Sequence, residues 1–96
     1  MGKLPSQELL DDVKKYALEV KGVIDVHDIH INYFGNYATV TLHIELPPEM
    51  TLDESHKIVH LVQENIMKKI AIIKGVTGHA CPYGLEYNHE QEIDKI

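Results

Sequence analysis

The chain has 96 residues, of which 44% are hydrophobic and 25% are charged, and this composition is typical of one globular domain. Its net charge of −6, from 15 acidic against 9 basic residues, repels nucleic acid and anionic membrane surfaces, so we exclude both as partners. No apolar run exceeds four residues, which is far too short for a membrane-spanning helix. The N-terminal residues also lack the apolar stretch and the cleavage site of a signal peptide.

An amphipathic helix is predicted near the N-terminus. Ser6 can cap it, the helix runs to about Lys21, and Gly22 stops it. Its apolar side chains recur at the 3.6-residue helical period and form one stripe that faces the core. The residues of this stripe are Leu9, Leu10, Val13, Tyr16, Ala17 and Val20.

Two alternating segments follow and predict a β-hairpin. Apolar residues recur at every second position, from Ile29 to Tyr33 in the first strand and from Ala38 to Leu46 in the second. Gly35-Asn36 has the composition of a two-residue hairpin loop. Pro47-Pro48 ends the second strand, because proline cannot donate a hydrogen bond to a neighbouring strand.

A second helix and a third strand complete the predicted fold. Thr51 and Glu54 form a capping box that opens the helix, which closes near Lys74-Gly75. Its apolar side comprises Leu52, Val59, Val62, Ile66 and Ile70. A short strand then runs from Val76 to Cys81 and stops at Pro82.

The order of elements is therefore αββαβ. Two amphipathic helices on one face of a three-stranded mixed sheet make a small α+β open-faced sandwich, and this unit covers residues 1–82. Residues 83–96, YGLEYNHEQEIDKI, are acidic and sparsely apolar, so we expect a flexible C-terminal tail that includes His89.

The hairpin holds three of the seven histidines of the chain, and imidazole is the commonest protein ligand for transition metals. With a two-residue loop, the register puts His43 opposite Asp28 and places His30 diagonal to His43. Strict alternation puts His30 and His43 on the outer face and turns His27 toward the core. Strand geometry alone therefore ranks His30 above His27 as the partner of His43.

Two further pairs of potential ligands lie in the second half of the chain. His56 and His60, in HKIVH, have the spacing of a zinc-peptidase helix, but Lys57 stands where that chemistry needs a glutamate, which excludes a peptidase. His79 and Cys81, in GHACP, are two apart on a strand and share a face. A thiolate beside an imidazole suits Zn²⁺, Co²⁺, Ni²⁺ or Cd²⁺ better than Mg²⁺ or Ca²⁺.

Each of these residues also has a purely structural interpretation. A single histidine is usually a solvated polar residue, His60 suits the helix surface better than a metal site, and a lone cysteine such as Cys81 is often a small buried hydrophobe. A metal site is favoured because the donors are spread over both hairpin strands, the start of a helix and the last strand. The spacing alone leaves both interpretations open.

Four segments in this order resemble the cytoplasmic C-terminal domain of cation diffusion facilitator transporters, the dimeric exporters of zinc and related divalent ions. They are GVIDVHDIHI, TVTLHIEL, LDESHKIVHLVQENI and VTGHACP, and the resemblance runs from about Pro5 to Pro82. It implies a ferredoxin-like, metallochaperone-like fold, a cytoplasmic location, a homodimer and attachment to a transmembrane transport domain. We expect an excised domain rather than a free-standing relative, because the chain begins where the family's membrane linker ends.

The resemblance also implies a set of zinc ligands. These are His27, His43, His56, His79 and, where the family usually has a carboxylate, Cys81; candidates of lower rank are His30, His60 and Asp28. A thiol in place of the carboxylate shifts the preference toward softer ions. The choice of His27 over His30 requires an irregular start of the first strand.

The function expected from the resemblance is regulation rather than catalysis. Bound cations offset the repulsion between two acidic subunits and fix their relative angle, which couples the cytosolic metal level to transport. Two alternatives are a free-standing metal carrier with the same site and a metal-free dimerisation module. We do not expect an enzyme, because the sequence contains no nucleophile–base pair and no cofactor-binding loop.

Overall fold

The computed structural model describes residues 6–84, and these residues have the predicted order αββαβ. The elements are α1 (Gln7–Leu18), β1 (Asp25–Phe34), β2 (Tyr37–Leu46), α2 (Leu52–Lys69) and β3 (Ile73–Pro82). Neither helix is long and apolar enough to cross a bilayer. The flexible tail that the sequence predicts lies, from residue 85 onward, outside the described residues, and so does His89.

The three strands form one mixed sheet with β2 in the centre. β1 pairs antiparallel to β2 across the hairpin, and β3 pairs parallel to β2. A parallel pair needs a crossover connection, which α2 provides. Alternate residues of β2 and the inner faces of both helices form one apolar core. Its buried members are Val13, Ala17, Val26, Ile31, Ala38, Val40, Leu42, Ile44, Leu46, Val62, Ile66 and Ile73.

Side-chain caps start both helices, as the sequence predicts. Ser6 Oγ accepts a hydrogen bond from the Leu9 N–H at 3.1 Å. Thr51 Oγ1 accepts from the Glu54 N–H at 3.1 Å, and Glu54 Oε1 accepts from the Thr51 N–H at 3.0 Å. The backbone N–H and then the hydroxyl of Thr51 hold the pKa of Glu54 below its ordinary value, because both bonds favour the carboxylate.

Helix α2 ends earlier than its periodicity predicts. It stops at Lys69 rather than near Lys74, and β3 begins at Ile73 rather than at Val76. Ile73 is only 1% exposed and pairs with Ala38 of β2. Burial of this side chain in the sheet therefore overrides the helical pattern of the segment.

Two smaller details of the helices also differ from prediction. Helix α1 ends at Leu18 rather than at about Lys21, and Gly22 then adopts a φ of 103°, a left-handed backbone conformation that glycine tolerates. Leu52 was expected on the apolar side of α2 but is 86% exposed. It lies in the first turn, whereas the core contacts of α2 begin only at Ile58.

Strand β1 is irregular at Asp28. Its pairing with β2 is regular from Phe34 to His30 and then shifts, so that His27 lies opposite His43. Asp28 has a φ of 51°, in the left-handed region that residues other than glycine seldom adopt, and two residues of β1 oppose one of β2 here. The predicted irregularity is confirmed, whereas the predicted pairing of Asp28 with His43 is wrong because this β-bulge displaces Asp28.

Gly78 of β3 marks the closest approach of α2 to the sheet. A Cβ atom at this position would lie 2.9 Å from Ile44 Cδ1 and 3.1 Å from Val59 Cγ1. Residue 78 thus faces the helices, and the next residue, His79, faces the opposite side of the sheet. The sheet therefore has one face covered by helices and one open face.

Candidate metal centre

A row of three histidines, one from each strand, crosses the open face of the sheet. His27 of β1 pairs with His43 of β2, and His43 pairs with His79 of β3. The ring centroids of His27 and His43 are 5.1 Å apart, and those of His43 and His79 are 5.4 Å apart. We call these three residues the histidine row.

Cys81 adds a sulfur donor beside the centre of the histidine row. Its Sγ lies 3.4 Å from Nδ1 of His43, because the parallel register of β3 places Cys81 next to Glu45 on the same face. Potential ligand atoms of His27, His43 and Cys81 all lie within 4.8 Å of one another. Two imidazole nitrogens and a sulfur at such separations can bind one transition-metal ion after small side-chain movements.

Glu45 orients His27. Its Oε2 lies 3.0 Å from His27 Nδ1, and Glu45 itself is largely shielded from solvent. A carboxylate accepts the proton of Nδ1, which leaves the lone pair of Nε2 available to a metal. Sequence reasoning missed this residue. Its position two residues after His43, on the same face of β2, was the available signal.

Negative charge surrounds the thiol. Burial raises the pKa of Cys81, and the carboxylates of Glu45 and Asp28 raise it further. Both effects disfavour an isolated thiolate. A divalent cation reverses this balance, since it attracts the carboxylates and displaces the thiol proton when sulfur binds.

One expected ligand, His79, and one lower-ranked candidate, Asp28, adjoin this group without being part of it. His79 belongs to the histidine row, but its ring packs beside that of His43 rather than joining the three-residue group. Asp28 is an exposed residue of the β-bulge whose charge acts on Cys81.

The remaining candidates lie elsewhere. His30 is exposed and pairs with Thr41, so the strand geometry that ranked it above His27 as the partner of His43 is wrong. His56 and His60 lie on α2, which packs on the covered face of the sheet, and their Nε2 atoms are 3.0 Å apart. The structure therefore groups His56 with His60 rather than with the histidine row.

The fold and the donor group define a small ferredoxin-like α+β domain with imidazole and thiol side chains gathered on the open face of its sheet. The family model for the cytoplasmic domain of cation efflux proteins matches residues 5–83. The chain belongs to this family. It is thus a cytoplasmic domain of a class of transporters, and this class is not an enzyme family.

A curated relative is the uncharacterized transporter MJ0449 of Methanocaldococcus jannaschii, which is 35% identical over 65 residues. The match covers 68% of this chain and 23% of that transporter. The chain thus spans less than a quarter of the length of this relative.

Solved structures of the MamM CTD share the fold. A nickel form of one variant has a TM-score of 0.77 at 25% identity and covers 80% of this chain and 98% of that chain. A cadmium form of another variant has a TM-score of 0.77 at 25% identity, with coverages of 79% and 95%. A copper form has a TM-score of 0.76 at 25% identity, with the same two coverages. These similarities establish the metallochaperone-like fold that the sequence predicts.

Proposed function

We propose that this domain binds a divalent transition-metal ion through His27, His43 and Cys81 and thereby regulates a cation efflux transporter. The observation that supports the proposal is the convergence of three donor atoms within 4.8 Å, from three different strands, on the open face of the sheet. His79, in the same row, is the candidate for a further ligand.

The donor set indicates which ions suit the site. Imidazole nitrogen with thiolate sulfur favours Zn²⁺, and the sulfur raises the preference for softer ions such as Cd²⁺ over hard ions such as Mg²⁺. Co²⁺ and Ni²⁺ accept the same donors. Nickel, cadmium and copper forms of the structurally similar MamM CTD support a domain that accepts several divalent metals.

The regulatory mechanism follows from charge. Each chain has a net charge of −6, so two copies held side by side repel each other. An ion bound on the open face offsets part of this charge and favours a closer arrangement of the homodimer. The domain is attached to the transport domain in this family. A change in the angle between the two cytoplasmic domains of the homodimer therefore favours the conformation of the transport domain that accompanies metal binding.

Small-angle X-ray scattering of the protein, titrated with Zn²⁺, tests this mechanism. We expect a dimer without metal that becomes more compact as Zn²⁺ is added, and we expect no such change in His43→Ala. A dimer with the same scattering with and without Zn²⁺ would favour a metal-free dimerisation module. A monomer that binds Zn²⁺ would favour a metal carrier.

A further inference from the structure

Asp28, at the edge of the proposed metal centre, has a backbone conformation that the rest of β1 does not share. Its φ of 51° lies in the left-handed region, and within residues 6–84 no other residue except glycine has a positive φ. On the N-terminal side of this bulge, His27 lies opposite His43. We propose that Asp28 is a positioning residue of the metal centre, which acts through its left-handed backbone and not as a ligand. This role rests on the metal binding proposed above.

The burial pattern of β1 explains why the strand is bulged at this point. Val26 is 3% exposed and Ile29 packs against the core, so both side chains point to the covered face of the sheet. In a regular strand, residues three apart point to opposite faces. A bulge between Val26 and Ile29 removes this conflict. It keeps both apolar side chains in the core and leaves His27 on the open face.

The alternative register would dismantle the metal centre. Without the bulge, β1 would continue in the register of its C-terminal half, with His27 opposite Ile44 on the covered face and Val26 opposite Glu45 on the open face. That arrangement buries an imidazole among apolar side chains and exposes a valine, and both changes are unfavourable. The observed register continues beyond the bulge, where the Ile24 N–H donates to the carbonyl oxygen of Glu45 at 2.9 Å.

The residue type at position 28 suits this backbone conformation. Aspartate and asparagine adopt the left-handed region more readily than other residues with a side chain, whereas a β-branched residue is a strong outlier there. Asp28 is exposed, so its side chain is not needed for packing. Of the described residues, only His27, His43 and Cys81 place ligand atoms within 4.8 Å of one another at the centre. The backbone of Asp28, rather than its carboxylate, is therefore what connects this residue to the centre.

Substitutions at residue 28 separate the backbone from the carboxylate. Asp28→Asn and Asp28→Gly remove the charge but tolerate the left-handed conformation, whereas Asp28→Val disfavours it. Each variant is titrated with Zn²⁺ by calorimetry. Nuclear Overhauser contacts between the rings of His27 and His43, whose centroids are 5.1 Å apart, are recorded without metal. Asn32→Val, at an exposed position in the regular part of β1, is the control for a β-branched substitution.

We expect Asp28→Asn and Asp28→Gly to keep the wild-type Zn²⁺ stoichiometry and the ring contact, with only a small loss of affinity from the removed charge. Asp28→Val should lose the ring contact and at least about tenfold in Zn²⁺ affinity, which is the lower end of the loss seen when an outer partner of a metal ligand is removed. Asn32→Val should keep both.

Deletion of Asp28 is a further test that does not depend on whether Asp28→Val folds. The remaining sequence, VHIHI, alternates strictly between apolar residues and histidine. A regular strand of this sequence places His27 on the open face opposite His43 without any bulge. We expect the deletion variant to keep the ring contact and the Zn²⁺ binding, although it lacks the carboxylate.

Loss of Zn²⁺ binding in Asp28→Asn, Asp28→Gly and the deletion variant, with the ring contact intact, would overturn the proposal, because the carboxylate would then be a ligand. Retention of the ring contact and of the affinity in Asp28→Val would also overturn it, because the backbone conformation would then not matter. The ring contact is measured without metal and therefore tests the position of His27 by itself. Failure of the wild type to bind Zn²⁺ would contradict the proposed function and would leave this second measurement to decide whether Asp28 positions His27.

Discussion

The thiol of Cys81 on β3 lies 3.4 Å from Nδ1 of His43 on β2, although 38 residues separate them in the chain. If one ion binds both atoms, the sulfur makes the site prefer softer ions. Cys81→Ser should therefore lower the affinity for Cd²⁺ more than the affinity for Zn²⁺, because oxygen is the harder donor. Competition between the two ions in wild type and variant measures this ratio. An unchanged ratio would remove Cys81 from the ligand set.

The carboxylate of Glu45 should matter through its hydrogen bond to His27 rather than through its charge alone. Glu45→Gln removes the charge and weakens the bond at Nδ1, and we expect the Zn²⁺ affinity to fall by about 10–100-fold, as for other outer partners of metal-binding histidines. Glu64→Gln, on exposed α2 surface, removes the same charge and is the matched control. Equal losses of calorimetric Zn²⁺ affinity in the two variants would indicate a general charge effect instead.

The close contact between α2 and β3 predicts that Gly78→Ala is destabilising. The added methyl group would meet Ile44 Cδ1 at 2.9 Å and Val59 Cγ1 at 3.1 Å, and such overpacking costs about 1–3 kcal/mol. At Gly75 the nearest atom to an added Cβ is Thr39 Cγ2 at 3.4 Å, so Gly75→Ala is the control. Urea unfolding should show that Gly78→Ala lowers the free energy of unfolding more than Gly75→Ala does. Equal losses would mean that the side chains of Ile44 and Val59 move aside without destabilising the fold.

The capping box of α2 predicts a dependence of stability on pH. The pKa of Glu54 is lowered in the folded state from its ordinary value of 4.5, so the ionised side chain stabilises the fold above that pH. This contribution is lost as the pH falls through the folded-state pKa. Wild type should therefore exceed Glu54→Gln in free energy of unfolding at neutral pH, and the difference should shrink below pH 4.5. A difference that is constant with pH would show that the charge has no part in the cap.

Local features of the fold could be predicted from the sequence. The helix caps at Ser6 and Thr51 and the hairpin loop at Gly35-Asn36 each depend on a few neighbouring residues, and the structure contains all three. The end of α2 could not be predicted in this way. The segment up to Ile73 suits a helix, and only the pairing of this residue with β2 makes it a strand.

The candidate site depends on one backbone irregularity that the alternation of apolar and polar residues along β1 does not predict. A regular β1 turns His27 inward, whereas the bulge at Asp28 brings it opposite His43. The resemblance to cation diffusion facilitator domains indicated this irregularity, because it selected His27 as a ligand. The contact between Glu45 and His27 follows from the same bulge and was not predicted.

Calorimetric titration of His43→Ala with Zn²⁺ tests the central proposal most directly, since His43 stands in the middle of the histidine row and beside Cys81. Far-UV circular dichroism confirms that the variant is folded, and His30→Ala is the control for loss of a histidine from the same sheet. We predict that His43→Ala loses the high-affinity Zn²⁺ site that wild type and His30→Ala retain. Binding of Zn²⁺ by folded His43→Ala with the stoichiometry and affinity of wild type would contradict the proposal.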